Sequence, residues 1–245
     1  MTTRQASTPA IEISHLTKRF GRTRVLASLD AIVQPGRVTA LVGPNASGKS
    51  TLLKCILGLV RPGAGTIAVD GVPVSADPAY RRSIGYMPQQ AAFPENLSAD
   101  EVMALLRRVR GADTPIDFEL IERFGLAPEL HRRVHVLSGG TRQKLNVVAA
   151  YLFRPSLVIL DEPSAGLDPV ANGILKRKIR DATRHGVTHL ITSHVLSELE
   201  ELADDVLFLV DGRVRYSGSL EGLRAATGER RLERAVGLLM EGAAS

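Results

Sequence analysis

The chain has a single cysteine among 245 residues, which excludes a disulfide framework within it. That residue, Cys55, falls in an apolar helical pattern, where an inert buried thiol is expected. No stretch approaches the roughly 18 apolar residues of a membrane span, and Met1 to Ala10 lacks the apolar centre of a secretory leader. The expectation is a soluble cytoplasmic protein that reaches a membrane only through a partner. Internal repeats, linkers and low-complexity tracts are also missing, and no Cys/His cluster has metal-ligand spacing. Lysine and arginine do not run together. The net charge of +5 therefore permits a nucleic-acid or anionic-membrane partner without requiring one. A hydrophobic fraction of 44% over this length is enough for one large domain, or a domain with a smaller lobe.

What is present centres on Gly43-Pro44-Asn45-Ala46-Ser47-Gly48-Lys49-Ser50-Thr51. It fits GxxxxGK[ST], follows the apolar run Val38 to Val42 and opens into the helical pattern Leu52 to Leu57, giving strand, phosphate loop and helix in order. The glycines let successive backbone N–H groups turn inward on an anion, and the helix N-terminus adds its partial positive charge. Lys49 is expected to reach the β- and γ-phosphates and Ser50 to ligate Mg²⁺. Thr51 and the amides of Gly48 and Lys49 can serve the phosphates nearer the ribose.

Before this loop, Ile11 to Leu16 and Val25 to Val33 read as antiparallel strands about a charged turn at Gly21. Phe20, beside that turn, suits either stacking on a purine or ordinary packing. After the first helix come short strands at Thr66–Val69 and Ser83–Met87, with Asp70-Gly71 as a hairpin signal. From Ala91 to about Leu145 the pattern is helical. Ser98 with Glu101 makes a capping box, Val102, Leu105, Leu106 and Val109 one apolar face, and Phe118, Ile121 and Phe124 another, stopped by Gly125. Buried strands resume at Ser156–Glu162, Val187–Thr192 and Val206–Val210, the last followed by an Asp211-Gly212 turn, and Pro169 opens a helix. The tail reads as two short helices split near Gly228, with Leu232, Ala235, Val236, Leu239 and Met240 as an apolar stripe.

Asp161 ends a buried strand, where a carboxylate can hold Mg²⁺ through water. Glu162, next in the chain, is placed to polarise an attacking water. With Leu137-Ser138-Gly139-Gly140-Thr141 the chain resembles the ATP-binding cassette (ABC) ATPases, whose signature loop has this form. The resemblance covers Ile11 to about Gly218. It implies an α/β fold: a P-loop core with an antiparallel prelude, an inserted helical signature subdomain at about 90–150 within an ATPase domain of 1–218, and a helical tail at 219–245. It further implies ATP and Mg²⁺ as cofactors, ATP hydrolysis, and a homodimer in which the signature of one chain closes over nucleotide on the phosphate loop of the other. In it Gln89 resembles the glutamine that reaches Mg²⁺ and abuts the membrane partner. Ser164 to Asp168 resemble the loop that crosses the dimer, His194 the histidine on the γ-phosphate, and Phe20 the adenine-stacking aromatic.

Two positions depart from the family pattern. Ala46 stands where a further glycine is usual, and Thr141 where glutamine ends the signature, so altered affinity or rate is expected rather than a dead enzyme. The long insertion or second cassette of soluble ABC ATPases that act on DNA or ribosomes is not seen, and no nucleic-acid partner is expected. Glu162 and His194 speak against a regulator without turnover. The implied partner is a separate transmembrane permease, with this chain peripheral on the inner face of the membrane and a periplasmic partner acting through the permease. Four segments, Phe93–Leu97, Leu137–Lys144, Ile191–Leu196 and Thr227–Glu229, resemble most the ATPase subunit of the copper-processing system of nitrous-oxide reductase; multidrug and other efflux ATPases share much of the pattern.

Overall fold

The structure is a computed structural model that describes residues 8–74, 78–111 and 113–241. The first seven residues of the N-terminal stretch and the last four of the tail lie outside the described residues.

Two sheets share the work of burial. β1 (Ile11–Phe20), β2 (Thr23–Val33), β4 (Ala64–Val69) and β5 (Val72–Pro73) form an antiparallel sheet in the order β2-β1-β4-β5. The second sheet runs β10-β9-β3-β8-β7-β6, from β3 (Val38–Val42), β6 (Ile84–Met87), β7 (Leu157–Asp161), β8 (Thr188–Thr192), β9 (Asp205–Val210) and β10 (Arg213–Ser219). Within it β9, β3, β8, β7 and β6 are parallel, and β10 returns antiparallel to β9.

The apolar runs of these strands are continuous because both faces are covered. Successive side chains point to opposite faces. Leu41, Leu157, Ile159, Leu190, Leu207 and Leu209 therefore join the antiparallel sheet and helix α1 (Lys49–Ile56) in one core cluster. Ala40, Val42, Val158, Leu160, Ile191, Val206 and Phe208 face the other way into a larger cluster.

That second cluster is roofed by helices. α2 (Ala99–Arg110) starts on the expected capping box: Ser98 Oγ accepts from the Glu101 amide, and Glu101 Oε2 accepts from the Ser98 amide at 2.8 Å. The segment from Ala91 to Leu145 is less continuously helical than its pattern suggests. Among the described residues, the helical elements between α2 and α4 (Gly139–Tyr151) are the five-residue α3 (Glu119–Arg123) and short 3-10 turns at Ala127–Glu129 and Val134–Val136. Two of the expected apolar faces are also shorter than read. α2 buries Ala99, Val102 and Met103 in its first half, leaving Val109 82% exposed. Phe118 precedes the first turn of α3 as its N-cap and is 54% exposed, while Ile121 and Phe124 are buried.

α5 (Pro169–Arg184) and α6 (Leu196–Leu202) cover the same sheet face. The tail forms α7 (Leu220–Thr227) and α8 (Leu232–Glu241), parted at Gly228, whose φ of 72° lies in the left-handed region. Leu220, Leu223, Leu232, Ala235 and Val236 join the larger core cluster, so this end of the chain is packed on the body; Met240, expected in the stripe, stays largely outside.

Candidate functional site

The strand order explains why distant motifs meet. Five parallel strands in the sequence β9-β3-β8-β7-β6 bring five carboxyl ends along one edge, where α/β sheets hold their ligands. Each end contributes to one cavity of about 600 Å³: Asn45 to Thr51 after β3, Gln89 after β6, Asp161 and Glu162 at β7, His194 after β8, and Asp211 and Gly212 after β9. Thr23, Arg24 and Val25 of β2 supply the remaining wall.

The loop after β3 is built for close backbone approach. A Cβ on Gly43 would run into the Leu209 carbonyl, and Gly48 has φ 107°. Ala46 adopts φ 63°, so the departure from glycine is accommodated in a strained backbone. The Gly212 amide donates to the Ser47 carbonyl at 3.0 Å, and the Gly212 carbonyl accepts from the Ala27 amide at 2.9 Å, which ties loop, turn and β2 together.

The donor set fits a phosphate chain. Helix α1 begins at Gly48 without a side-chain cap, so its first amides open onto the cavity with the positive end of the helix dipole. Ser47 Oγ is buried and has no hydrogen-bond partner among the described residues. Lys49 Nζ donates to the Gly43 and Pro44 carbonyls at 2.7 and 3.0 Å. Burial pushes the Lys49 ammonium below its ordinary pKa, and the charges of Glu162 and Asp161 oppose that shift.

Opposite the loop, two carboxylates are buried. Asp161 Oδ1 accepts from Thr192 Oγ1 at 2.7 Å. Glu162 has φ 53°; its Oε2 accepts from the His194 amide at 3.0 Å and its Oε1 lies 3.3 Å from His194 Nε2. A carboxylate, an imidazole and an ammonium thus border one cavity, an arrangement able to hold a polyanion at one side and handle a proton at the other.

Of the residues expected from sequence, Asn45, Ala46, Ser47, Gly48, Lys49, Ser50, Thr51, Gln89, Asp161, Glu162 and His194 line this cavity; Gly43 and Pro44 are not in the lining, and their carbonyls hold Lys49 Nζ. Phe20 is not among the lining residues. It ends β1, is 51% exposed beneath Lys18 Nζ at 4.8 Å, and pairs in register with Thr23, which does line the wall. Leu137, Ser138, Gly139, Gly140 and Asp168 also lie outside it. Ser138 caps α4, accepting from the Thr141 amide at 3.1 Å and lying 2.8 Å from the Thr141 hydroxyl. Asp168 caps α5 through the Ala171 amide at 2.8 Å and pairs with Lys144 Nζ of α4 at 3.0 Å. A Cβ on Gly140 would press on the Gly166 carbonyl, so the signature and the loop before α5 adjoin one another.

Sequence reasoning did not single out Thr23, Arg24, Val25 or Thr192 for the site, and it read Asp211-Gly212 only as a turn. Nothing local marks them, since each arrives through strand order.

Comparison with known proteins agrees with this geometry. The family model described as ABC transporter matches residues 26–165. The daunorubicin resistance ATP-binding protein DrrA3 of Streptomyces coeruleorubidus is 36% identical over 91% of this chain and 72% of its own length. The lantibiotic transport ATP-binding protein SrtF of Streptococcus pyogenes is 34% identical over 85% of this chain and 92% of its own. A solved ATP-binding subunit of an ABC transporter superposes with a TM-score of 0.88 at 30% identity, over 94% of this chain and 99% of that one. Fold, cavity and relatives converge, and the chain belongs to the ABC transporter family as an ATP-binding subunit with ATPase activity.

Proposed function

We propose that two copies of this chain face each other head to tail, each closing ATP on the phosphate loop of the other, and that hydrolysis drives a separate membrane permease. The observation that supports this reading is that Ser138, which caps the N-terminus of α4, a helix end suited to an anion, lies outside the cavity formed by its own phosphate loop. In this reading the residues of a complete site are divided between two chains.

In this reading Lys49 and the amides of Gly48 to Thr51 hold the phosphates. Ser50, Asp161 and Gln89 supply oxygens toward a Mg²⁺ ion, which when bound neutralises charge on the β- and γ-phosphates. Among the described residues no cluster of three His, Cys, Asp or Glu could hold a metal, so the remaining ligands would be phosphate oxygens and water. Glu162 takes the proton of the attacking water, His194 supports Glu162 and the γ-phosphate, and Asp168 acts at the dimer seam beside Ser138. Phe20 stacks on the base at the rim next to Thr23.

In this reading the permease is another chain and this one sits on the inner face of the membrane; no helix among the described residues is long and apolar enough to cross it. For the cargo, the names of the drug-resistance and lantibiotic relatives support an efflux permease. The four segments quoted above support instead the copper-processing system of nitrous-oxide reductase, with a periplasmic partner reached through the permease. Identification of the membrane subunit recovered with the tagged chain separates the two.

The test of the central reading is Glu162→Gln. Turnover is expected to fall by about 100-fold or more while ATP binding persists and a nucleotide-dependent dimer accumulates. A variant that turns over normally, or nucleotide that leaves the trapped variant monomeric beside its permease, contradicts it.

A further inference from the structure

Thr192 is the last residue of β8, is fully buried, and does not line the cavity. Its hydroxyl nevertheless touches both acids. Oγ1 donates to Asp161 Oδ1 at 2.7 Å and accepts from the Glu162 amide at 3.0 Å. The amide N–H can only donate, so Oγ1 accepts from it and directs its own hydrogen to Asp161 Oδ1. The same Glu162 amide also reaches the Thr192 carbonyl at 3.2 Å.

The backbone held in this way is unusual. Glu162 has φ 53°, a conformation that L side chains rarely adopt and that persists only where surroundings impose it. With the backbone so turned, the Glu162 carboxylate lies against His194, accepting from its amide at 3.0 Å with Nε2 at 3.3 Å. Asp161, which lines the cavity together with Glu162, has one carboxylate oxygen occupied by Thr192.

We infer that Thr192 is a positioning residue for the ATPase reaction: one buried hydroxyl orients the Asp161 carboxylate and pins the left-handed backbone of Glu162, setting the two acids in register with each other. The inference deepens the proposed function and rests on its assignment of Glu162 as the proton acceptor. It differs from the plain alternative, in which a β-branched residue merely fills space in a buried strand. Valine would fill that space as well. Outer residues that orient a metal ligand typically change affinity or activity about 10- to 100-fold when their hydrogen bond is removed.

The experiment compares the full chain with Thr192→Val, Thr192→Ser and Glu162→Gln. The kcat and KM for ATP are measured, together with the affinity of a fluorescent ATP analogue with and without Mg²⁺, a readout independent of turnover. Thr192→Val is expected to lower kcat about 10- to 100-fold with KM within about threefold. It should bind metal-free analogue like the parent, yet gain less affinity when Mg²⁺ is added. Thr192→Ser, which keeps the hydroxyl, should recover most of both losses. Wild-type kcat and Mg²⁺ response in Thr192→Val would overturn the inference, as would equal impairment of Thr192→Ser. Should Thr192→Val fold too poorly to assay, Thr192→Ala set against Thr192→Ser isolates the hydroxyl, and equal rates in that pair overturn it too. Glu162→Gln distinguishes the two levels: if it turns over, the reading of Glu162 fails; if it is inactive while Thr192→Val is not slowed, only the role of Thr192 fails.

Discussion

Burial can turn an ordinary side chain into a stability sensor, and His189 is the clearest case. It is fully buried in β8, with Nε2 3.0 Å from the Tyr151 hydroxyl and Nδ1 3.0 Å from Thr183 Oγ1. Burial pushes its pKa down to about 3, partly opposed by a hydrogen bond to the Val187 backbone. The unfolded chain takes up that proton near pH 6.5 and the folded chain does not until about pH 3. Over that window the unfolded state holds more protons, so stability falls on acidification by about 1.4 kcal/mol per pH unit from this group. Urea unfolding from pH 7 to pH 4 should show the slope, and His189→Gln should remove its histidine part; an equal slope in both proteins counts against the assignment. In sequence His189 was only one polar residue in an apolar run. Its neighbours Tyr151 and Thr183 come from α4 and α5, and residue spacing does not carry that contact.

Elements with local chemistry were the most legible. The Ser98/Glu101 box, the Asp70-Gly71 and Asp211-Gly212 turns, Pro169 at a helix start and Gly228 between the tail helices all stand where the sequence places them. Each is decided within about four residues of chain. Val109 and Phe118 were misread because an apolar spacing says which residues share a face, whereas burial depends on how far a neighbouring element extends along it. The N-cap gives a direct test. Ser98→Ala removes the acceptor for the Glu101 amide and should cost about 1 kcal/mol of stability. ATP affinity should stay unchanged, because α2 does not line the cavity. Denaturant melts with a nucleotide-binding titration check both, and a full loss of ATP binding would mean that α2 supports the phosphate loop.

For the whole molecule, the phosphate loop was readable as a motif and the cavity was not. Thr23 to Val25 and Gly212 reach it only because β9 and β2 lie where the sheet topology puts them. The division of the proposed site between chains gives a complementation test. Lys49→Ala and Ser138→Arg chains should each be inactive alone. A one-to-one mixture should regain roughly a quarter of wild-type turnover, because half the pairs are mixed and each mixed pair holds one intact site. No recovery in a mixture shown to exchange subunits would count against the head-to-tail arrangement.

The Gly212 peptide, bonded on one side to Ser47 and on the other to Ala27, acts as a rivet through three layers of chain. The interval between the phosphate grip and the β2 wall is thereby set before any nucleotide arrives. In the proposed dimer such a cleft is a gauge of fixed length: a nucleotide meets walls already spaced for it, little ordering is spent on capture, and more of the contact energy is left for drawing two such clefts together.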